Sequence, residues 1–241
     1  MVGVGWLMSD TFDIASFLFP IFSGTEKPEV FAIDAFLGTG FWINSNAYFL
    51  TCRHVFEALK AGQKLVLGQP YAEQRDRFLP VTEWQAHPKI DIALGRVLGT
   101  TKRPVLSPYP GRIATGLDVE SFGFMSWEKR GRSLSMDARL LRGHVSRMYP
   151  EPDGLPAKSV FEVSFASPSG FSGAPLLAGH RVVGMLYGNI ESRLQAFTLD
   201  EIKDGGREYK EVSYRIHEFG LAHPLEDVIG FTKKCGVEPF A

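Results

Sequence analysis

Apolar residues in this chain recur mainly in short runs that end at glycine, asparagine, serine or proline. In the region 31–52, three such runs are separated by the polar or glycine-containing turns 38–40 and 44–46. Short runs of β-favouring residues separated by such turn residues are typical of hairpins. The same criteria predict strands at 32–37, 41–43, 47–52, 64–68, 79–87, 91–97, 118–125, 140–148, 159–165, 182–187 and 210–221.

The remaining segments are predicted as loops and two helices. One helical turn is expected at 56–60. A longer helix is expected at 224–235, where proline comes first, acidic residues follow and lysines come last. Polar residues predict loops at 70–78 and 127–137, and an exposed hairpin or flap at 190–210. Because many short strands occur without a βαβ rhythm, the sequence predicts an all-β fold with a C-terminal α-helix.

The least patterned stretch, 99–116, contains three of the 15 prolines and is the natural linker between two halves. The sequence contains no evident internal repeat. The predicted organisation is an N-terminal extension at 1–27, a first half at 28–110, a second half at 111–225, and a C-terminal helix and tail at 226–241.

Composition narrows the class of function. The formal net charge is −1 and 22% of residues are charged, so nothing indicates a nucleic-acid or polyanionic partner. The apolar N-terminal segment lacks a basic region and is interrupted by Asp10 and Asp13, so it is a poor signal peptide. No apolar stretch is long enough to span a bilayer. Because Cys52 and Cys235 are too few for a disulfide-stapled domain, we expect free, buried thiols in a cytoplasmic protein without membrane contact.

The glycine-rich turn around Ser172 is the stretch that most directly suggests chemistry. Gly170 and Gly173 flank the serine, and glycines allow backbone conformations and close substrate approach that a Cβ forbids. A serine on such a turn, with adjacent N–H groups converging on one point, is a candidate nucleophile beside an oxyanion hole. An ordinary β-turn between two strands is the alternative interpretation, and this stretch alone does not decide between them.

Two further residues have the character of an acid–base pair. His54 ends a predicted buried strand, whereas the other five histidines lie on strand faces, strand ends or turns without a comparable setting. Asp91 precedes an apolar run, a position that suits a strand-end cap as well as a carboxylate that orients an imidazole. Together with Ser172 they occur in the order His, Asp, Ser, with the serine across the linker from the other two. A site between two halves is a common place for a ligand.

Several separated segments of the chain resemble, in order, the trypsin-like (chymotrypsin-fold) serine peptidases, and most closely their short bacterial-type domain. The match covers roughly residues 30–232 and is specific because the segments agree in order. The segments that carry it are GTGFWINSNAYFLTCRHV (38–55), DIAL (91–94), SFGF (121–124), RGHVS (142–146), GFSGAPLL (170–177), VVGMLYG (182–188) and FGLAHPLEDV (219–228).

The resemblance implies two six-stranded antiparallel β-barrels with the active site in the cleft between them, and a hydrolase that needs no cofactor or metal. Ser172 would attack the peptide carbonyl and His54 would carry the proton. Asp91 would orient His54. The N–H groups of Gly170 and Ser172 would form the oxyanion hole.

The resemblance also implies a polypeptide substrate and places its binding site. An extended substrate would pair with the strand edge formed by Tyr187, Gly188 and Asn189. Ala166 would lie at the base of the specificity pocket, with Ser167 beside it and Gly220 in the facing strand. Because no charged residue is visible there, we expect a small or apolar side chain before the cleaved bond.

One departure from the family pattern bears on activity. Phe171 stands where digestive members carry an aspartate, so their activation salt bridge cannot form here. The main prediction is an intracellular serine endopeptidase. The alternatives are a pseudo-peptidase that serves as a binding module, and a latent peptidase that a protein partner activates by ordering the Ser172 loop. The apolar segment 14–22 is a candidate docking surface for such a partner, although packing on the barrel is the simpler interpretation.

Overall fold

Strands make up most of the computed structural model, which describes residues 16–27, 30–69, 78–98, 103–130, 133–149, 160–204 and 207–241. Three segments singled out in the sequence fall partly or mainly outside these residues: the N-terminal part of the extension (1–15), the predicted polar loop (70–77) and the start of the linker (99–102). The described strands form two antiparallel barrels, each closed by six strands, so the predicted fold is confirmed.

The first barrel is closed in the order β1-β2-β3-β6-β5-β4. Its strands are β1 Leu18–Lys27, β2 Val30–Trp42, β3 Tyr48–Thr51, β4 Lys64–Gly68, β5 Phe78–Ala86 and β6 Ala93–Val97, and the short helix α1 Arg53–Glu57 follows β3. Aromatic rings fill its interior. The rings of Phe19 and Phe49, both fully buried, meet edge to face with centroids 5.3 Å apart. This geometry is favourable for aromatic pairs.

Strand β1 corrects the predicted N-terminal extension at 1–27. Residues 18–27 are part of the first barrel and complete it, because β1 pairs with β2 on one side and with β4 on the other. Its pairing with β2 shifts register between Ile21 and Phe22 and again between Ser23 and Gly24. These irregularities break the period-two alternation by which a strand is recognised in a sequence.

The second barrel is closed in the order β11-β8-β9-β10-β13-β12, with β11 pairing back onto β12. A two-residue strand, β7 Ser107–Pro108, adds to β12 in parallel, so the end of the predicted first half belongs to the second sheet. The other strands are β8 Asp118–Arg130, β9 Ser133–Tyr149, β10 Val160–Val163, β11 Pro175–Ala178, β12 Arg181–Asp204 and β13 Arg207–Pro224. Val145, Val163 and Leu176 are among the fully buried residues of its core.

Two hairpins of the second barrel are longer than predicted. β8 and β9 stay paired as far as Arg130 and Ser133, so the charged segment 127–137 is mostly strand and the predicted loop there is wrong. β12 and β13 pair from Gly184 and Pro224 as far as Asp204 and Arg207, which confirms a hairpin at 190–210, with exposed side chains at 190–197. A ribbon that faces water on both sides does not need the apolar alternation that identifies a barrel strand.

The C-terminal segment returns to the first barrel. Helix α2 Leu225–Lys234 lies within the predicted range, and its Phe231 ring packs edge to face against His87 at 5.3 Å. The tail then ends at the turn between β2 and β3, where the Asn44 side chain donates to the Glu238 carbonyl at 3.2 Å. Within the described residues, neither helix is long and apolar enough to cross a membrane.

Candidate active site

His54 and Asp91 form a doubly hydrogen-bonded pair on the first barrel. Helix α1 presents His54 because its next two residues, Val55 and Phe56, are buried and fix the helix on the barrel, whereas the His54 side chain is 46% exposed. Asp91 lies in the bend between β5 and β6. Its Oδ2 lies 2.6 Å from His54 Nδ1, and its Oδ1 accepts the His54 backbone N–H at 3.0 Å.

The environment of Asp91 favours the carboxylate. Burial opposes its ionisation, but hydrogen bonds from the His54 ring and from the His54 backbone N–H outweigh burial and lower the pKa of the Asp91 carboxyl below its usual range. A carboxylate that accepts both bonds holds the imidazole with Nδ1 as the donor. The other ring nitrogen, Nε2, is then left with its lone pair available.

Ser172 lies on a turn of the second barrel whose backbone requires glycine on both sides. Gly170 and Gly173 have φ values of +94° and +88°. A Cβ on Gly170 would lie 2.4 Å from the Phe124 carbonyl oxygen, and one on Gly173 would lie 2.2 Å from the Thr39 carbonyl oxygen. Both glycines are therefore needed for conformation and for space.

Thr39, on strand β2 of the first barrel, fastens this turn across the cleft. Its N–H donates to the Ser172 carbonyl at 3.0 Å. Its hydroxyl donates to the Gly170 carbonyl at 2.8 Å and accepts the Phe124 N–H at 3.1 Å. Thr39 is fully buried, so these bonds are shielded from water. The sequence analysis placed Thr39 in a turn at 38–40 and did not single it out, whereas residues 38–40 are part of the continuous strand β2.

The side chain of Phe171 anchors the Ser172 turn to the core of the second barrel. This side chain is fully buried, against the position where Gly123 lacks a Cβ. The Phe171 N–H donates to the Pro168 carbonyl at 3.0 Å, and its carbonyl accepts the Ala174 N–H at 2.8 Å. An apolar anchor therefore occupies the position at which the sequence departs from the aspartate of digestive peptidases.

The structure brings the three predicted catalytic residues to one place without joining all of them by hydrogen bonds. Ser172 and Val55, the residue after His54, meet at Gly38: a Cβ there would lie 2.9 Å from the Ser172 carbonyl oxygen and 2.9 Å from Val55 Cγ2. Among the described residues, no hydrogen bond joins the Ser172 hydroxyl to the His54 ring. Such bonds are often long or poorly aligned before substrate binds.

The predicted oxyanion-hole donors have no acceptor in the described part of the chain. Hydrogen bonds engage the N–H groups of Phe171, Gly173 and Ala174, but none engages the N–H of Gly170 or Ser172. Two unengaged N–H groups on neighbouring positions of one turn are what binding of a developing oxyanion needs.

The predicted specificity-pocket residues lie together on the second barrel. The Asn189 side chain grips the main chain of Ser167: its Oδ1 accepts the Ser167 N–H at 2.7 Å and its Nδ2 donates to the Ser167 carbonyl at 2.9 Å. Gly220, paired with Asn189 across the sheet, donates its N–H to the Phe165 carbonyl at 2.7 Å. Ala166, between Phe165 and Ser167, is half-buried. Next to them, Gly188 is open, since a Cβ there would have no neighbour within 4 Å.

Comparison with known proteins gives the family. The sequence profile of the trypsin-like peptidase domain matches residues 38–185, which is more than half of the chain and includes His54, Asp91 and Ser172. The chain belongs to the trypsin-like peptidase family. It is a serine hydrolase by family. No protein with a curated description matches the chain.

Solved structures show the same fold. The Rv3671c protease from M. tuberculosis in its active form is 19% identical with a TM-score of 0.59, and the alignment covers 92% of this chain and 82% of that one. The inactive form of the same protease is 20% identical with a TM-score of 0.56, and 92% and 90% of the two chains are covered. The HtrA-type protease AlgW with a decapeptide is 15% identical with a TM-score of 0.57, and the alignment covers 88% of this chain but only 62% of AlgW.

Cys52 lies directly beneath the site of this trypsin-like peptidase, a position that sequence reasoning did not reveal. Its thiol donates to the Leu186 carbonyl at 3.4 Å, and the same carbonyl accepts the Gly173 N–H at 2.8 Å. Burial, reinforced by the nearby Asp91 charge, raises the pKa of the Cys52 thiol well above its usual value. Both cysteines are free, as predicted, but Cys235 is only partly buried.

One group of side chains in the described part of the peptidase has the composition of a metal site. Ligand atoms of Cys52, His54 and Asp91 all lie within 4.8 Å of one another. An ion there would have to break the bond between His54 and Asp91 and ionise a buried thiol whose raised pKa keeps it protonated. The arrangement therefore fits an acid–base pair better than a metal centre.

His223, on strand β13, is a buried imidazole close to Asp91, and the sequence analysis set it aside. It stacks on the Tyr187 ring with centroids 4.1 Å apart, and neither ring nitrogen has a partner among the described residues. Burial lowers the pKa of His223 to about 4, although the Asp91 charge acts in the opposite direction. His223 is therefore neutral at pH 7 and supports Tyr187 on the predicted substrate edge.

Proposed function

We propose that the chain is a serine endopeptidase that cleaves polypeptides through Ser172, His54 and Asp91 and an acyl-enzyme intermediate. The main support is the His54–Asp91 pair, in which one carboxylate holds both the ring and the backbone of the histidine. The turn that carries Ser172 lies across the cleft from this pair. Thr39, on the same barrel as the pair, holds that turn through hydrogen bonds to Ser172 and Gly170. Membership of a serine peptidase family supports the same reaction.

Each residue then has one step to perform. The Ser172 hydroxyl attacks the peptide carbonyl while His54 Nε2 takes its proton, and the same nitrogen returns that proton to the leaving amine. Water then repeats the sequence on the ester, with His54 again as the base. Asp91 stays ionised throughout, because its lowered pKa keeps it charged next to the imidazolium. It stabilises the charge that forms on His54 in both steps.

The unengaged N–H groups of Gly170 and Ser172 are the proposed oxyanion hole. Removing one donor of this kind costs about 3 to 4 kcal/mol of transition-state stabilisation in enzymes of similar mechanism. The contacts of Thr39 with Gly170 and Ser172 hold both residues in place before substrate arrives. Such preorganisation makes the donors effective, since they need not reorient during the reaction.

Labelling with a fluorophosphonate probe tests the proposed chemistry. The probe reacts only with an activated serine whose oxyanion hole is competent, so we expect labelling of the wild-type chain and none of Ser172→Ala. The variant should keep its unfolding midpoint, because Ser172 lies on a turn and its main-chain bonds do not need the hydroxyl. Absence of labelling in folded wild-type protein would instead support a pseudo-peptidase or a latent peptidase that needs a partner.

We further propose that the residue before the cleaved bond is small. In this fold that side chain enters the space between the segment at Ser167 and the edge of β12 and β13. Here the two sides are hydrogen-bonded to each other, through the Asn189 side chain to Ser167 and through Gly220 to Phe165. Walls in direct contact leave no depth for a large side chain, so alanine or glycine fits better than leucine or phenylalanine.

Peptides that differ only in the residue before the cleaved bond test this preference. The wild-type enzyme should have its highest kcat/KM with alanine or glycine at that position. Asn189→Ala removes the two side-chain hydrogen bonds to Ser167 that hold the pocket closed. It should raise kcat/KM for leucine about tenfold, a range typical of a few methylene groups in a pocket. Asn46→Ala, an exposed asparagine in the turn before β3, is the matched control. Equal use of alanine and phenylalanine by the wild type would contradict the small-residue preference.

The compartment is also a proposal. Both cysteines are free, and the Cys52 thiol lies beneath the proposed active site, where oxidation would add polar atoms to a fully buried position. A reducing, cytoplasmic environment suits this arrangement. Fractionation of cells that produce the native chain, with an antibody against it, tests the location directly.

A further inference from the structure

A groove lies on the outer face of the first barrel, between strands β3, β5 and β6 and the tail that follows α2. A Cβ on Gly95 would meet the buried Phe49 ring at 2.3 Å, so Gly95 faces the barrel interior and its neighbour Arg96 faces outward. The groove has a volume of about 440 Å³, within the range of small-molecule sites. It is separate from the proposed active site, because its β3 residue, Tyr48, is at the start of that strand and His54 follows the end.

The Arg96 guanidinium presents one unoccupied edge in this groove. Its Cζ lies 5.0 Å from the centroid of the Tyr48 ring, a cation–π contact that positions the group. Its Nη1 lies 3.6 Å from Oε1 of Glu83, the residue opposite Arg96 on β5. No acceptor among the described residues engages the other edge, formed by Nε and Nη2, although Nε is buried. These two nitrogens carry the parallel N–H groups with which an arginine binds a carboxylate at two points.

Arg142 on the second barrel shows the contrast. It also pairs with a glutamate across two strands, but its Nε lies 3.2 Å from Glu120 Oε2, so a carboxylate of the protein already occupies that edge. Glu83 approaches Arg96 at Nη1 instead and leaves the corresponding edge to another carboxylate. The Glu83 side chain is 63% exposed, so water screens its repulsion of an incoming anion.

The groove next to Arg96 is apolar. Leu94 lies two residues from Arg96 on β6 and therefore shares its face, and Val237 of the tail lies in the same groove. Both side chains are buried. Of the residues that line the groove, only Glu83 and Arg96 carry a charge. A ligand that fits this surface has an apolar body and one anionic end.

We propose that this groove binds a small monocarboxylate with an apolar chain. Its carboxylate accepts from Nε and Nη2 of Arg96, and its chain lies against Leu94 and Val237. The carboxylate supplies the acceptor that the buried Nε lacks, and an unsatisfied buried donor is costly. The site lies outside the cleft, so this inference does not depend on the proposed peptidase function.

The Cys235 thiol reports on occupancy, because it lines the groove and is only partly buried, whereas Cys52 is fully buried. The probe is 4-methylpentanoate, and 4-methylpentanamide is its uncharged control of nearly the same shape. The rate at which N-ethylmaleimide modifies the wild-type chain is followed by intact mass at constant ionic strength. We expect saturable protection by the carboxylate with a Kd of about 1 mM, the order expected for so small a ligand. The amide should leave the rate almost unchanged, and Cys235→Ser should abolish the reaction.

Variants then locate the contact, with thermal unfolding to show that each is folded in the assay. Arg96→Gln should raise the Kd about tenfold, the loss expected for a charged hydrogen bond. Arg96→Lys keeps the charge without the two parallel N–H groups and should also weaken binding, which separates two-point recognition from simple attraction. Glu83→Gln removes a like charge and should lower the Kd about threefold. Arg142→Gln, from the other cross-strand pair, is the matched control and should bind as the wild type does.

The outcomes separate this inference from the proposed chemistry. Absence of saturable protection, or equal protection by the amide or by 4-methylpentylamine, would overturn the carboxylate site while fluorophosphonate labelling of Ser172 still stands. If acetyl-Gly-Gly-Leu with a free carboxylate protects at lower concentration than 4-methylpentanoate, the occupant is a polypeptide C-terminus and the small-molecule assignment is wrong. Failed labelling of Ser172 together with protection that needs Arg96 would overturn the peptidase and leave the carboxylate site.

Discussion

The two sides of the proposed site are built in different ways. On the first barrel, two hydrogen bonds join His54 to Asp91. His54 lies in helix α1 and Asp91 in the bend between β5 and β6, both connections between strands of the same barrel. On the second barrel, the turn that carries Ser172 takes much of its support from the opposite barrel, through the N–H and the hydroxyl of Thr39. The acid–base pair is thus a local product of one barrel, and the nucleophile turn depends on how the two barrels dock.

This difference separates two kinds of sensitivity. Changing the acid–base pair should alter the chemistry and leave the fold intact, because the pair is partly exposed and stabilises little else. Changing Thr39, which bonds the Ser172 turn to the opposite barrel, should shift that turn further the more of these hydrogen bonds are lost. Variants on the two sides should therefore be distinguished by whether catalytic rate and stability change separately or together.

The largest effect is expected from Asp91→Asn. The amide would still accept one hydrogen bond but would favour the wrong tautomer of His54, and kcat should fall about 10⁴-fold with little change in unfolding free energy. Steady-state kinetics and thermal unfolding provide the two measurements. Glu57→Gln, which removes a charge from α1 without contacting Asp91, is the control. A drop in kcat of less than tenfold would remove Asp91 from the proposed triad.

A smaller effect is expected from His223, the one second-barrel imidazole that lies close to the acid–base pair. Its pKa falls from 6.5 to about 4 on folding, so between these pH values the unfolded chain binds a proton that the folded chain does not. The stability due to neutral His223 is complete above pH 6.5 and is lost as the pH falls toward 4, by about 3 kcal/mol. His223→Phe keeps a ring against Tyr187 and should remove this part of the acid sensitivity.

Urea unfolding at pH 7 and pH 4.5 measures the His223 effect. The wild type should lose more stability between the two pH values than His223→Phe. His217→Gln, on the exposed ribbon, should behave as the wild type. An identical pH dependence for the wild type and His223→Phe would show that other groups set the acid sensitivity.

The smallest effect is expected from Thr39→Val, which removes the hydroxyl but keeps the N–H bond to Ser172. The Gly170 carbonyl and the Phe124 N–H lose a partner, and a slightly displaced oxyanion donor should lower kcat about 10- to 100-fold. KM should change little because Thr39 does not touch substrate. Thr39→Ser keeps the hydroxyl and should keep kcat near that of the wild type, whereas a purely structural role would lower the stability of Thr39→Val and leave its kcat per folded molecule unchanged.

The sequence predicted most strands well where a barrel interior imposes a pattern. The strand at 64–68 was predicted to the residue, because β4 follows a turn at 61–62 and has an apolar interior. The errors lie where that pattern is absent. β1 contains register shifts, and the sequence of 127–137 in the β8–β9 hairpin is mostly charged or polar, so neither segment has clean alternation. The short strand β7 is held only by its pairing with β12, which no local pattern indicates.

The sequence by itself determined the fold class and the residues that the proposed reaction needs, because turn glycines, strand patterns and family motifs are properties of short segments. The tertiary structure alone decided how those residues are supported. Thr39 and Gly170 are 131 residues apart, and Cys52 and Leu186 are 134 apart. Such contacts depend on how two closed barrels meet, and no local pattern in either partner encodes a bond whose other end lies on a different barrel.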